Sequence, residues 1–192
     1  MTQPFVHLRI HSEYSLVDGL VRIKPLAKLC SEMNMPALAL TDFCNMFALV
    51  KFQRSAMDAG LKPIYGADIL VESAQPDEPP TQIVLLAKSL QGYRNLTELV
   101  SESYLHGQKL DQAIIARDYL RQKTDGLICL SGGRQAEIGR ALLGGKHDKV
   151  EQLLAEYSEL FPDSFYLELH RTSRQDDETY LHLAVDVAQK FN

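Results

Sequence analysis

The amino-acid sequence predicts an α/β fold built mostly from parallel strands, and three observations carry that expectation. Six short apolar runs recur along the 192 residues, each followed by helix-like material, as in a series of β-α units. Polar residues gather at the ends of those runs, where β/α folds keep their functional loops. The chain is 45% hydrophobic, and a single domain of this length closes a real core without disulfide or metal staples.

Phe5 to Ile10 reads as the first strand. Leu20 to Asn34 follows as a helix, with Val21, Leu26, Leu29 and Met33 at helical spacing and Pro25 near its start. Met35-Pro36 ends it, because the residue before proline is pushed out of the α region. Ala37 to Leu40 is a buried second strand that stops at Thr41-Asp42. Asn45 to Ala59 is a helix carrying Phe47, Val50 and Met57 on one face, and Gly60 stands where a C′ glycine belongs. Ile64 to Val71 is the third strand, followed by a polar, proline-containing loop from Ser73 to Pro80.

Gln82 to Ala87 is the fourth strand and Gly92 to Leu105 an amphipathic helix. A short helix is expected near Ala116 to Arg121. Leu127 to Leu130 is the fifth strand, and Ser131-Gly132-Gly133 opens onto a helix from Arg134 to Leu143. Gly144-Gly145 separates that helix from another at Asp148 to Leu160. Phe165 to Leu169 is the sixth strand, and Asp177 to Lys190 the last helix. A doubly wound sheet and a β/α barrel both satisfy this order. The series reaches Phe191-Asn192 at a helix end, where a further strand is due, so residues 1–192 are expected to be most of one domain.

Charge and cysteine usage narrow the class. With 20 Lys+Arg against 25 Asp+Glu the net charge is −5, which argues against a whole-surface basic footprint for nucleic acid. Cys30, Cys44 and Cys129 are odd in number and show no C-x-x-C spacing, so a reducing, cytoplasmic setting fits best. Neither a signal peptide nor an apolar run long enough to span a bilayer is visible.

The polar strand ends are His11-Ser12-Glu13, Thr41-Asp42-Phe43, Gly66-Ala67-Asp68, Ser131-Gly132-Gly133 and His170-Arg171-Thr172. Each also suits a helix N-cap. The first cluster, His7-Leu8-Arg9-Ile10-His11-Ser12-Glu13 through Asp18-Gly19, places His7, Arg9 and His11 on one face of a strand. It resembles the first motif of the polymerase-and-histidinol-phosphatase (PHP) family. The replicative-polymerase branch of that family is matched in order by Thr41-Asp42-Phe43-Cys44-Asn45-Met46, by Leu61 to Asp68, and by Leu85-Leu86-Ala87 with Gly92 to Leu96. Gly126 to Gly133 and Phe165 to Leu169 complete the match, which covers nearly the whole chain.

The resemblance implies a distorted (β/α)7 barrel, incomplete at its C-terminal end, with a metal cluster at its mouth in active members. Its ligand set is eroded here. The motif's paired histidines map onto Arg9 and His11, and arginine has only N–H donors to offer. Asp18 is retained. Phe43 stands where a histidine is expected, Asp68 where a glutamate is usual, Gln82 for a histidine, Gly133 for a cysteine or histidine, and Thr172 for a histidine. His170 lies two residues before Thr172, on the same side at strand spacing, and is the candidate for compensation.

His11, Asp18 and Asp68 are too few for a multinuclear site. The expectation is therefore a domain with no catalytic residues, no cofactor and no metal. Its implied partners are the remaining domains of a polymerase alpha subunit and a proofreading exonuclease subunit. DNA and the Mg2+ of nucleotidyl transfer belong to those other domains. The alternative is a Zn- or Mn-dependent phosphoesterase of the same family. If metal is gone, a fixed cation must offset the remaining carboxylates, and Arg9 is expected to ion-pair with Asp18 or Asp68.

Other features have plainer explanations. Ser131-Gly132-Gly133-Arg134 matches neither a dinucleotide nor a Walker pattern and reads as a βα turn. His106, His147 and His182 fall on or beside helices, and Asp176-Asp177-Glu178 suits the first turn of a helix.

Overall fold

The computed structural model describes residues 5–16, 18–75, 78–109 and 111–191. The N-terminal residues 1–4 read for a signal peptide, Val17 of the first motif, Pro76-Asp77 of the proline-containing loop, and Asn192 lie outside the described residues. Seven strands form one sheet system: β1 (Ala37–Leu40), β2 (Lys62–Val71), β3 (Thr81–Ala87), β4 (Gln108–Lys109), β5 (Gln112–Ile115), β6 (Leu127–Leu130) and β7 (Phe165–Tyr166). The helices are α1 (Ile23–Glu32), α2 (Leu49–Asp58), α3 (Leu90–Leu105), α4 (Arg117–Arg121), α5 (Glu137–Leu143), α6 (His147–Leu160) and α7 (Asp177–Lys190).

The mixed α/β class holds, but the mostly parallel pairing does not. β1–β2, β2–β5 and β6–β7 are parallel, whereas β2–β3, β3–β6 and β4–β5 are antiparallel. The cause lies in the loop after β2, where no helix is formed among the described residues. A loop without a crossover helix returns the chain as a hairpin, and a hairpin is antiparallel.

The first expected strand is also different. Residues 5–10 carry no strand assignment, although the Ala39 and Thr41 N–H groups donate to the carbonyls of His7 and Ile10. The Ile10 N–H donates to the Thr41 hydroxyl instead of a carbonyl. A side chain has entered the ladder. The run from Phe165 likewise pairs only through Tyr166, and the Glu168 N–H turns to the Ser131 hydroxyl. The short pair β4–β5 follows α3 and was not expected.

Two helix faces differ from the apolar spacing. α1 buries Ile23, Ala27 and Cys30, leaving Leu29 and Met33 more than half exposed. α2 buries Phe52 and Ala56, and leaves Phe47, Val50 and Met57 more than half exposed. Small residues decide this. Ala27, Ala48 and Ala56 share one cluster with Phe52 and Leu38, and alanines let helices approach each other and β1 closely. Val21 also falls outside α1, in a β-bridge with Ser12.

Strand alternation sorts the core into two layers. Ala67, Ile69, Val71, Ile83, Leu85 and Cys129 lie under the helices with Leu96, Leu153, Tyr157 and Tyr180. Ala39, Val84, Leu86 and Leu130 form a smaller cluster on the opposite face, packed by Ile64 and Ile128. Asp68 alternates with the outward Ala67 and Ile69, so it faces inward, where the candidate site forms.

Candidate functional site

Asp68 is fully buried and is the hub of the site. Its Oδ2 accepts from Arg9 Nε at 2.8 Å and Arg9 Nη2 at 2.5 Å, and lies 2.9 Å from His11 Nε2. The expected ion pair of Arg9 is therefore made with Asp68. Arg9 Nη1 also donates to Glu168 Oε2 at 3.1 Å and to the Gly132 carbonyl at 3.3 Å. One guanidinium thus ties the N-terminal segment to β2, to the turn after β6 and to the segment after β7. Burial opposes the charge of Arg9, but Asp68 and Glu168 outweigh it and hold its pKa above the ordinary value.

His11 bridges two carboxylates, with Nδ1 2.7 Å from Asp18 and Nε2 2.9 Å from Asp68. Burial pulls its pKa down. The hydrogen bond to Asp68, the charge of Asp68 and the hydrogen bond to Asp18 outweigh that, against some opposition from Arg9, so the net shift is upward. Protonated, His11 donates to both aspartates. Asp68 Oδ1 is buried without a hydrogen-bond partner.

His170 pairs with Glu168 at 2.5 Å through Nε2. Gly133 lies in the left-handed region at φ +73°, and a Cβ there would stand 2.9 Å from His170 Nδ1. The imidazole occupies space that a side chain at position 133 would need. Thr172 is committed elsewhere: its N–H and hydroxyl both donate to Asp177 Oδ2 at 2.7 Å, at the start of α7. Those bonds, with the Arg174 N–H and the charge of Arg134, hold the Asp177 carboxyl down at about 2 against its burial.

Arg9, His11, Asp18, Gln82, His170 and Thr172 line one cavity of about 380 Å3. Phe43 is not on it. Its backbone bridges to Asp68, its ring sits 6.4 Å from the His11 ring, and it lines a neighbouring cavity of about 440 Å3 that shares Asp18 and Gln82. Among the described residues no group of three or more His, Cys, Asp and Glu side chains is arranged to hold a metal ion.

Sequence reading missed two carboxylates. Glu168 serves both Arg9 and His170, and its signal was present: it alternates with His170, the position singled out for compensation. Asp42 is buried and accepts from the Ser12 N–H at 2.6 Å, the Ser12 hydroxyl at 2.8 Å and the Ser15 hydroxyl at 2.7 Å. It pins the short 3-10 turn Glu13–Ser15 that follows His11 through bonds that span 27 to 30 positions of sequence.

Comparison with known proteins places these observations. Residues 7–172 match the PHP domain family model. The chain is 53% identical over its full length to DNA polymerase III subunit alpha of Pseudomonas aeruginosa. It is 49% identical over its full length to the Vibrio cholerae subunit and 47% identical over 98% of its length to that of Escherichia coli K12. It spans only about 16–17% of the length of these relatives and matches their N-terminal PHP region. Among solved structures, a putative metal-dependent phosphoesterase from Bifidobacterium adolescentis shares the fold at a TM-score of 0.54, over 94% of this chain and 82% of that one, with 10% identity.

Proposed function

The chain belongs to the PHP domain family, and from that premise we propose that it is a metal-free structural and interaction domain of a replicative polymerase alpha subunit. In this reading it supports the polymerase core and docks the proofreading exonuclease subunit. Mg2+-dependent nucleotidyl transfer and DNA contact belong to other domains of the subunit, in the cytoplasm. No helix among the described residues is long and apolar enough to cross a membrane.

One observation carries the metal-free reading: a guanidinium stands at a ligand position and is paired with the buried Asp68 and the part-buried Glu168. The donor set does not fit a metal cluster. Arginine has no lone pair to give, Phe43 and Gly133 offer no side-chain lone pair, and Thr172 offers a neutral hydroxyl, tied to Asp177, in place of an imidazole. His11 uses both ring nitrogens on aspartates. A divalent ion binding through Asp68 Oδ2 would have to displace Arg9 from it, at the cost of one of the two carboxylates that offset the part-buried guanidinium. The sequence similarity to polymerase III alpha subunits along the full chain supports the scaffold role.

The phosphoesterase alternative keeps one observation, the unpartnered Oδ1 of Asp68. Two experiments separate the readings. The intact protein is expected to co-elute with the purified exonuclease subunit on a sizing column, and separate elution would reject the docking role. Hydrolysis of p-nitrophenyl phosphate with added Mn2+ or Zn2+ is expected to match buffer. A rate that disappears in Asp68→Asn would establish the phosphoesterase instead.

A further inference from the structure

Where β2 returns into β3 as an antiparallel neighbour, no covering helix is formed among the described residues. The start of β2 is flanked by α2 on one side and by the first turn of α3 on the other. A groove of about 650 Å3 runs there, lined among others by Val50, Lys62, Tyr65, Lys88, Leu90 and Tyr93. Val50 and Leu90 are 60% and 66% exposed, and Tyr65 is braced edge-on against Phe52 at 6.4 Å. Rigid tyrosines beside exposed aliphatic side chains are the material of binding hot spots.

The charge at this groove runs against that of the chain. The protein carries −5, yet no aspartate or glutamate lines the groove. Lys28, Lys51, Lys109, Lys123 and Lys149 each reach a carboxylate. Among the described residues Lys62 and Lys88, like Lys24, Lys146 and Lys190 elsewhere, form no salt bridge, and Lys88 donates to the neutral Ser164 hydroxyl at 2.7 Å. Two unpaired ammonium groups beside an apolar trough call for carboxylates on whatever fills it.

We propose that this groove is a docking seat for an acidic amphipathic segment of a partner protein. Its apolar side chains lie over Val50, Leu90 and the tyrosine pair, and its carboxylates reach Lys62 and Lys88. A protein fits better than a nucleic acid, which needs a continuous cationic track along its backbone; here two cations sit in an aliphatic setting. The proposal rests on the interaction-domain reading only in taking a protein as the ligand.

The test is fluorescence anisotropy on the intact protein with two labelled synthetic peptides. One is a helix-forming sequence with Leu anchors and Glu between them; the other replaces each Glu by Lys. The Glu peptide is expected to bind, and to lose about tenfold in affinity on Lys62→Glu, while the Lys peptide gains on the same variant. Leu90→Asp is expected to abolish binding of both. Lys62→Glu leaves the Lys88–Ser164 bond intact, so unaltered thermal melting of that variant keeps the reading clean. Equal binding of the two peptides to wild type, or unchanged binding to Lys62→Glu, would overturn the proposal. So would tighter binding of oligothymidylate at the same groove. Co-elution with the exonuclease subunit is read separately, so failure here and failure of the interaction-domain reading are distinguishable.

Discussion

Among the described residues, two part-buried arginines are each clasped by a pair of carboxylates, and the pairs have different characters. Arg9 joins Asp68 and Glu168 beside a cavity with histidines on both sides. Arg117 joins Glu137 and Glu156 where α4 meets α5 and α6, and its guanidinium lies 5.5 Å from the Tyr157 ring centre. The exposures are similar, 17% for Arg9 and 12% for Arg117. What differs is closure.

Around Arg117 the network is complete. Glu156 accepts from Nε and Nη2, Glu137 from Nη1 and Nη2, and the Glu72 carbonyl from Nη1. Tyr157 donates its hydroxyl to Glu137 at 2.7 Å, and burial beside that carboxylate pushes the phenol pKa well up. Around Arg9 the network keeps a spare acceptor, Asp68 Oδ1, and a titratable bridge, His11. A satisfied buried ion cluster fixes how helices pack. An unsaturated one at a cavity wall keeps acceptor capacity that its protein partners do not use.

Breaking the closed cluster should cost most. Arg117→Ala leaves Glu137, whose side chain is 1% exposed, with no cation, and the expected loss is about 3–5 kcal/mol in urea unfolding. The double variant Arg117→Met with Glu137→Gln should recover much of it. A loss within 1 kcal/mol of zero would show that the cluster is not closed.

Arg9→Ala should cost less, about 2–3 kcal/mol, because His11 remains to serve Asp68. That remainder is pH-dependent. His11 is raised above its ordinary 6.5, so its contribution is complete below that pH and fades as pH rises through the folded-state value. Removing Arg9 removes an opposing charge and raises His11 further. The variant should therefore be less destabilised at pH 6 than at pH 8, by thermal melting, and His11→Phe should flatten the dependence. An Arg9→Ala penalty that does not change with pH would separate His11 from the cluster.

The smallest effect calibrates the others. Arg171 and Glu178 form an exposed pair, 66% and 60% accessible, and Glu178→Gln should change stability by about 0.5 kcal/mol or less.

Much of this was legible in the residues. β1 and α7 have the expected bounds, because local signals such as Met35-Pro36 and Asp177-Glu178 mark them, whereas α3 starts at Leu90, two residues before the expected Gly92, under a Ser89 cap. Motif alignment brought Arg9, His11, Asp18, Gln82, His170 and Thr172 to one cavity. What stayed hidden depended on contacts distant in sequence. The buried faces of α1 and α2 are set by alanines that spacing does not weigh. The sense of β3 is set by a loop in which the described residues form no helix, and Glu168 is defined by Arg9, 159 positions away.

The central claim is that Arg9 has taken the place of metal in the Asp68 site. Elemental analysis of the purified protein by mass spectrometry, with thermal melting before and after a strong chelator, tests it most directly. The account predicts less than one equivalent of Zn or Mn per chain and an unchanged midpoint. Two or more tightly held ions per chain, with a midpoint that falls when they are stripped and is restored when they return, would contradict it.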